Sequence, residues 1–261
     1  MFIDNEVIRF KNGVTNRSQG DIFNSMKAPD RTIFSEYYND FLAFNRVITT
    51  EPNGTIEGVW NTGTLFGTAN QGSILYFGGT QGVGGRLLCQ TGANLNDDLS
   101  IAYGGRPFAF ARDRQAFFKA IINLANVNEP LVNIGVRGGG NDQSPQSGAW
   151  WGKPSGVAAF DLNIDQFGTS QALGLTNQPT MVNDDDIELS MYYDGADGLW
   201  GGINGNALGK FDLTDQNFPY MDIAGNLIPF IYIQNGNAAS ERIDLDLIYW
   251  ATERIQFGIS L

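Results

Sequence analysis

Apolar and polar residues alternate most plainly near the C-terminal end, from Leu227 to Trp250, where two β-branched and aromatic runs flank a polar stretch. The alternation has a period of two, the repeat of a strand with one buried face. In the second run it places Ile243, Leu245, Leu247 and Tyr249 on one side and Asp244, Asp246, Ile248 and Trp250 on the other. Between the runs, Asn235-Gly236-Asn237 supplies residues that tolerate positive φ, so the chain can reverse there. The pattern predicts two strands, hairpin-like or crossing, that close a β-domain.

Short apolar runs punctuated by glycine precede them: Gly58–Trp60, Ser73–Phe77, Arg86–Gln90 and Arg106–Phe110, with Gly78–Gly82 and Asn94–Asp98 as turn material. Gln115–Leu124 carries two periods at once. Phe117, Phe118, Ile121, Ile122 and Ala125 would make a helical stripe, whereas Phe118, Ala120, Ile122 and Leu124 alternate as a strand does. The strand is preferred, because its neighbours are strands and no helix cap precedes it. Leu131–Val136 and Gly156–Leu162 bracket Arg137–Ser155, which reads as the longest irregular loop of the domain and carries Trp150-Trp151. Ile187–Tyr193 follows, then a glycine-rich run from Gly195 to Gly209. Many strand candidates and no helix predict an all-β antiparallel sandwich.

The first 32 residues are polar apart from a few apolar positions, Phe2, Ile3, Val7, Ile8 and Phe10 among them. They are expected to form an N-terminal arm, or a strand laid on the domain, with the compact domain spanning residues 33–261. A chain of 261 residues can bury a large core as one sandwich domain.

Composition narrows the function classes. With 17% charged residues the chain is too apolar for disorder, and it has no apolar run long enough for a membrane helix. Neither a basic nor an apolar segment of signal-peptide type opens it, so synthesis in a host cytoplasm without secretion is expected. Cys89 is the single cysteine and reads as a small buried hydrophobe. The chain has no histidine, which removes Ser-His-Asp and Cys-His catalysis and histidine-ligated zinc. An enzyme here would have to use carboxylates or hard cations on oxygen ligands. The net charge of −12 lies in the last two-fifths: residues 1–157 hold 13 acidic and 13 basic side chains, residues 158–261 hold 15 and three. Nucleic acid is not expected as a partner of that acidic part.

The order of Arg106–Phe110, the strand ending at Leu124, Leu131–Val136, the polar glycine-rich loop, Gly156–Phe160, Ile187–Tyr193 with Asp194-Gly195, and the closing runs Leu227–Phe230 and Ile243–Trp250 resembles structural proteins of tailed-phage virions that carry a concanavalin A-like lectin/glucanase jelly roll. The likeness covers roughly residues 34–254 and lies in pattern rather than in a diagnostic motif. It implies a non-enzymatic virion protein without cofactor, most simply a capsid decoration (cement) protein. Its partners would be the major capsid protein or other virion proteins and further copies of itself, with a trimer implied. A carbohydrate-binding tail or fibre module and a carboxylate glycosidase are the alternatives.

Candidate chemistry follows from the same residues. Asp184, Asp186 and Glu188 alternate and would share a strand face about 7 Å apart, a spacing compatible with glycoside hydrolysis. They do not reproduce the Glu-x-Asp-x-Glu pattern of glucanases of this fold, and solvated strand-end acids are the preferred reading; no catalytic residue is assigned. Asp194–Gly198 and Asn183–Asp186 offer oxygens to calcium, although turn chemistry accounts for the first without an ion, so the metal question stays open. Trp150 and Trp151 are candidates for a protein interface or for stacking on a sugar, or they fold back over the sandwich. Phe2, Ile3, Ile8 and Phe10 are the other interface candidates. The glycine runs Gly82–Gly85 and Gly138–Gly140 lack the residues of a nucleotide loop.

Overall fold

The computed structural model describes residues 34–39, 55–56, 60–63, 74–78, 86–103, 108–111, 114–140, 143–166, 169–173, 178–213 and 227–253, the first four stretches as backbone. Phe2, Ile3, Ile8 and Phe10, and with them the arm, lie outside the described residues.

Sixteen strands follow one another in the described residues, without a helix. In chain order they are β1 (Phe34–Asn39), β2 (Thr55–Ile56), β3 (Trp60–Gly63), β4 (Ile74–Gly78), β5 (Arg86–Gln90), β6 (Asp98–Tyr103), β7 (Ala116–Leu124) and β8 (Leu131–Gly140). They continue as β9 (Pro145–Lys153), β10 (Asp161–Gln166), β11 (Thr169–Leu173), β12 (Asp186–Tyr193), β13 (Gly198–Ile203), β14 (Asn206–Asp212), β15 (Ile228–Gln234) and β16 (Arg242–Glu253). One antiparallel sheet runs β14-β13-β12-β7-β16-β5-β4, and β1 lies along the same edge of β16 as β5, beyond it. The other runs β11-β10-β9-β8-β15-β6-β3-β2.

The two closing runs cross. β15 sits between β8 and β6 in one sheet, and β16 sits between β7 and β5 in the other. β5 to β6 and β7 to β8 also change sheet, the interleaving of a jelly roll. Period-two side chains from both sheets then meet in one core: Ala116, Phe118, Ala120, Ile122 and Leu124 of β7 face Val132, Ile134 and Val136 of β8, Leu162 and Ile164 of β10, and Ile231 and Ile233 of β15. Burying each large aliphatic contributes about 1.5–3 kcal/mol. The strand reading of Gln115–Leu124 therefore holds, and Cys89 lies fully buried among these residues, its thiol pKa pushed up by burial and next by the charge of Asp244.

Two expectations are corrected, and one unassigned run takes a definite form. First, β16 does not keep one alternation along its length. Its register against β7 shifts between Leu245, opposite Ile122, and Leu247, opposite Ile121, leaving Asp246 as an extra residue. Such a bulge reverses the facing of everything after it. Ile248 and Trp250 consequently join Ile243 and Leu245 in the core instead of lying opposite them. Second, the glycine-rich run after Asp194 is a hairpin of β13 and β14, turned by Asn204-Gly205 with φ of 52° and 76°. Two successive positive φ values are what a two-residue hairpin turn demands. Third, of the strand expected over Arg106–Phe110, the described residues Phe108–Phe110 give only an isolated bridge of Phe108 to Leu227, and Arg106 and Pro107 lie outside the described residues.

Candidate functional site

The expected loop Arg137–Ser155 is mostly strand. β8 runs on to Gly140 and β9 covers Pro145–Lys153, the two paired from Val132–Lys153 to Gly140–Pro145. Glycine and serine read as loop material from sequence, but here they let strands approach closely: a Cβ on Gly135 would collide with the backbone of Ala149 and Trp150. The two tryptophans are therefore neighbours on a strand and point to opposite faces. Trp151 is fully buried in the core, its ring and Leu162 Cδ2 each 2.9 Å from where a Cβ on Gly201 of the other sheet would stand. Neither indole projects from a loop.

Trp150 lies on the outer face of its sheet, packed with Phe230 and Tyr232. Register brings polar residues around it in two rows. Gly152 is opposite Asn133 of β8 on one side and Asp161 of β10 on the other; Trp150 is opposite Gly135 and Asn163. Directly opposed residues share a face, so a glycine stands among side chains in each row, and the neighbouring side chains lean into the space over it. A cavity of about 280 Å³ opens there, also lined by Leu131, Gln143, Lys153 and Pro154. Above Gly152, Asn163 Nδ2, Asn133 Oδ1 and Trp150 Nε1 converge, 2.7, 3.2 and 3.4 Å from the place a Cβ would take. The Asn133 amide is oriented by donating to the Gln143 carbonyl at 3.0 Å, and Asn163 by donating to the Asp161 carbonyl at 2.9 Å. Asp161 and Asn163 are half-buried, within reach of solvent.

Behind the cavity, Lys153 is only 1% exposed, and its Nζ donates to the carbonyls of Asn128, Pro130 and Pro154 at 3.2, 2.5 and 3.3 Å. Burial lowers its pKa to about 8, against the opposing pull of Glu241 and Glu129. Burial likewise pushes the Glu241 carboxyl up, reinforced by Glu129 and opposed by Lys153 and Asn126. The ammonium is thus spent on the protein's own backbone.

Of the acids singled out for hydrolysis, Asp186 and Glu188 lie on β12 of the other sheet, whereas Asp184 stands in the turn before it with φ of 61° and does not share the strand face as expected; all three are tied down. Arg86 Nη2 reaches both carboxylate oxygens of Asp186 at 2.8 Å, and its Nε lies 3.7 Å from Asp246. Lys119, itself 2% exposed, holds Glu188 at 2.5 Å. Arg242 donates to Asp184 at 3.0 Å and stands 3.2 Å from Asp244, whose pKa burial raises while Arg242 and Arg86 pull it back. Of the calcium candidates, Asp194 Oδ1 accepts the backbone N–H groups of Ala196 and Gly198 at 2.9 and 3.0 Å, and Asn183 Oδ1 accepts that of Val127 at 2.9 Å. Among the described residues, no group of three or more His, Cys, Asp or Glu side chains is placed to hold a metal ion.

The fold is a concanavalin A-like jelly roll. It is similar to an endo-1,3-β-glucanase from Streptomyces sioyaensis at 10% identity, covering 87% of this chain and 99% of that one with a TM-score of 0.56. A protein of unknown function from Shewanella oneidensis MR-1 is similar at 12% identity, with 85% and 87% covered and a TM-score of 0.53. The carbohydrate recognition domain of Emp47p follows at 12%, with 85% and 98% covered and a TM-score of 0.50. No protein-family model matches the chain, and no curated protein matches it. Among these similar folds are both a glucanase and a carbohydrate recognition domain, so the class defined is that of lectin and glucanase jelly rolls, at the level of fold.

Proposed function

We propose that this chain is a non-enzymatic structural protein of a tailed-phage virion, a decoration protein that binds the capsid shell by protein–protein contacts. The observation that carries the non-enzymatic reading is the pairing of Asp186 with Arg86 and of Glu188 with Lys119. A carboxyl that acts as general acid or nucleophile needs access to the sugar. An arginine fork on one carboxylate and a buried ammonium on the other occupy the oxygens that would have to reach the sugar. The virion reading rests on the sequence resemblance; the charge division between residues 1–157 and 158–261 does not separate two surfaces, because strands of both parts alternate within each sheet. The arm, with Phe2, Ile3, Ile8 and Phe10, would dock on the major capsid protein or on sister copies, as a trimer.

Removal of residues 1–30 is expected to abolish binding to purified shells in co-sedimentation while leaving the melting transition of the domain in place. Undiminished occupancy by the truncated chain would contradict the docking role of the arm. A second reading, a carbohydrate-binding tail or fibre module, is favoured by one specific observation, the amide-lined hollow beside Trp150.

A further inference from the structure

We propose that the end of the sandwich where β5, β7, β9 and β15 finish is a second docking surface, which receives an apolar surface of the shell protein rimmed by lysine or arginine. The inference rests on the shell-decoration reading and adds to the arm a contact made by the folded domain. Topology brings the connections 91–97, 125–130, 154–160, 178–185 and 235–241 to that end, and bonds between them tie each to the next. Asn235 accepts the Asn96 N–H at 3.3 Å and donates its own to the Asp97 carbonyl at 2.9 Å, while its Nδ2 donates to the carbonyls of Gly92 and Asn94. Gly236 packs so closely on Ser155 and Glu129 that a Cβ would overlap both. The Gly156 N–H donates to the Asn128 carbonyl at 2.8 Å, and Asn183 Oδ1 accepts the Val127 N–H at 2.9 Å.

Apolar exposure is concentrated at this same end. Among the described residues the exposed large hydrophobic side chains are Leu95, Val157 and Val182, at 57, 45 and 51%, and each stands on a different one of these connections. Pro154, Ala238 and Ala239 are exposed there too. A single exposed aliphatic is ordinary on any protein. Several gathered at one end, with none elsewhere among the described residues, mark a contact surface.

Charge selects the partner. The connections carry Asp97, Glu129, Asp184, Asp185 and Glu241 and neither lysine nor arginine. Asp97 and Glu241 are buried, which leaves Asp184 and Asp185 exposed and Glu129 half-buried around the apolar residues. The flanking cations are engaged, Lys153 by three backbone carbonyls and Arg242 by Asp184. Two such ends would repel each other, so a second copy is not the occupant. A partner with an apolar centre and a basic rim gains from both features, in the usual anatomy of a protein interface. Because the connections are already held in place, little conformational freedom is lost on docking.

The test is co-sedimentation of the full chain with purified shells assembled without it, over a series of salt concentrations. Wild type is expected to bind, less tightly as salt screens the rim charges. The variant combining Leu95→Ser, Val157→Ser and Val182→Ser is expected to weaken binding at least about tenfold. Asp185→Lys is expected to weaken it and to flatten its salt dependence, and Lys210→Ser on β14 to leave it unchanged. All these side chains are exposed, and circular dichroism with thermal melting confirms that each variant is folded. Should the combined variant fail to fold, Leu95→Ser alone replaces it. The proposal is overturned if wild type binds and the folded variant reaches the same occupancy. It is also overturned if sedimentation velocity shows the variant breaking up a wild-type oligomer with shell binding intact, which would make this end a contact between copies. Failure of wild type to bind shells would overturn shell decoration itself, and this proposal with it.

Discussion

Trp151→Ala is expected to destabilise the domain by about 3–5 kcal/mol, the range for removing a large aromatic from a packed core. The indole is fully buried between the sheets, against Leu162 and the space over Gly201, so truncation leaves a void that the facing strands cannot fill without moving. Trp151→Phe should cost much less. The indole Nε1 has no hydrogen-bond partner among the described residues, and removing an unsatisfied buried donor returns part of what the lost ring area costs. Denaturant titration decides the matter through the midpoint at unchanged slope. A loss below about 1 kcal/mol for the alanine variant would be incompatible with an inward-facing Trp151.

The second large effect is a pH dependence centred on Lys153. Its amine binds a proton less tightly in the folded protein, with a pKa of about 8, than at the ordinary 10.5 of an unfolded chain. Between those values the unfolded chain carries more proton, so stability rises with pH across the window. Below pH 8 both states are protonated and the cost of the buried charge is fully present. The difference between 10.5 and about 8 corresponds to a rise of up to about 3 kcal/mol. Other groups also titrate in alkali, so the measurement is a comparison. Lys153→Met removes this titration, and wild type should gain on the variant progressively from pH 8 to 10.5. Parallel stability profiles for the two proteins would refute the assignment.

Much of the sandwich was legible because its central strands bury one face and read out a period of two. Leu131–Val136, Ile187–Tyr193 and Leu227–Gln234 became β8, β12 and β15 for that reason. What was hidden had glycine in it. β9 reads Pro-Gln-Ser-Gly-Ala-Trp-Trp-Gly-Lys, and its glycines serve close strand approach and the hollow beside Trp150 rather than turns. β13 is hidden similarly, since Gly201 clears space for the Trp151 ring of the opposite sheet, a relation visible only once both sheets are in place. The bulge at Asp246 was equally inaccessible. A single unpaired residue reverses all later facings, and the composition of Asp-Leu-Asp-Leu does not show where it falls.

The cavity was half legible. The sequence pattern puts a strand at Gly156–Leu162, whereas β10 begins at Asp161 and runs to Gln166, so the alternation that sets Asp161, Asn163 and Asp165 on one face lies mostly beyond the expected strand. That β10 lies beside β9, and β9 beside β8, is a long-range pairing that the local pattern does not encode, and it is this pairing that brings Asn133, Gly152 and Asp161 into one row. The acids that attracted notice as catalytic candidates were conspicuous through their density. Their partners Arg86 and Lys119 come from distant segments and convert them into the charged outer face of a sheet.

Quantitative mass spectrometry of purified virions from the source, giving the copy number of this chain relative to the major capsid protein, tests the central claim most directly. Shell decoration predicts a ratio near unity or a simple fraction such as one-third. Absence from the particle, or only a handful of copies, would contradict it.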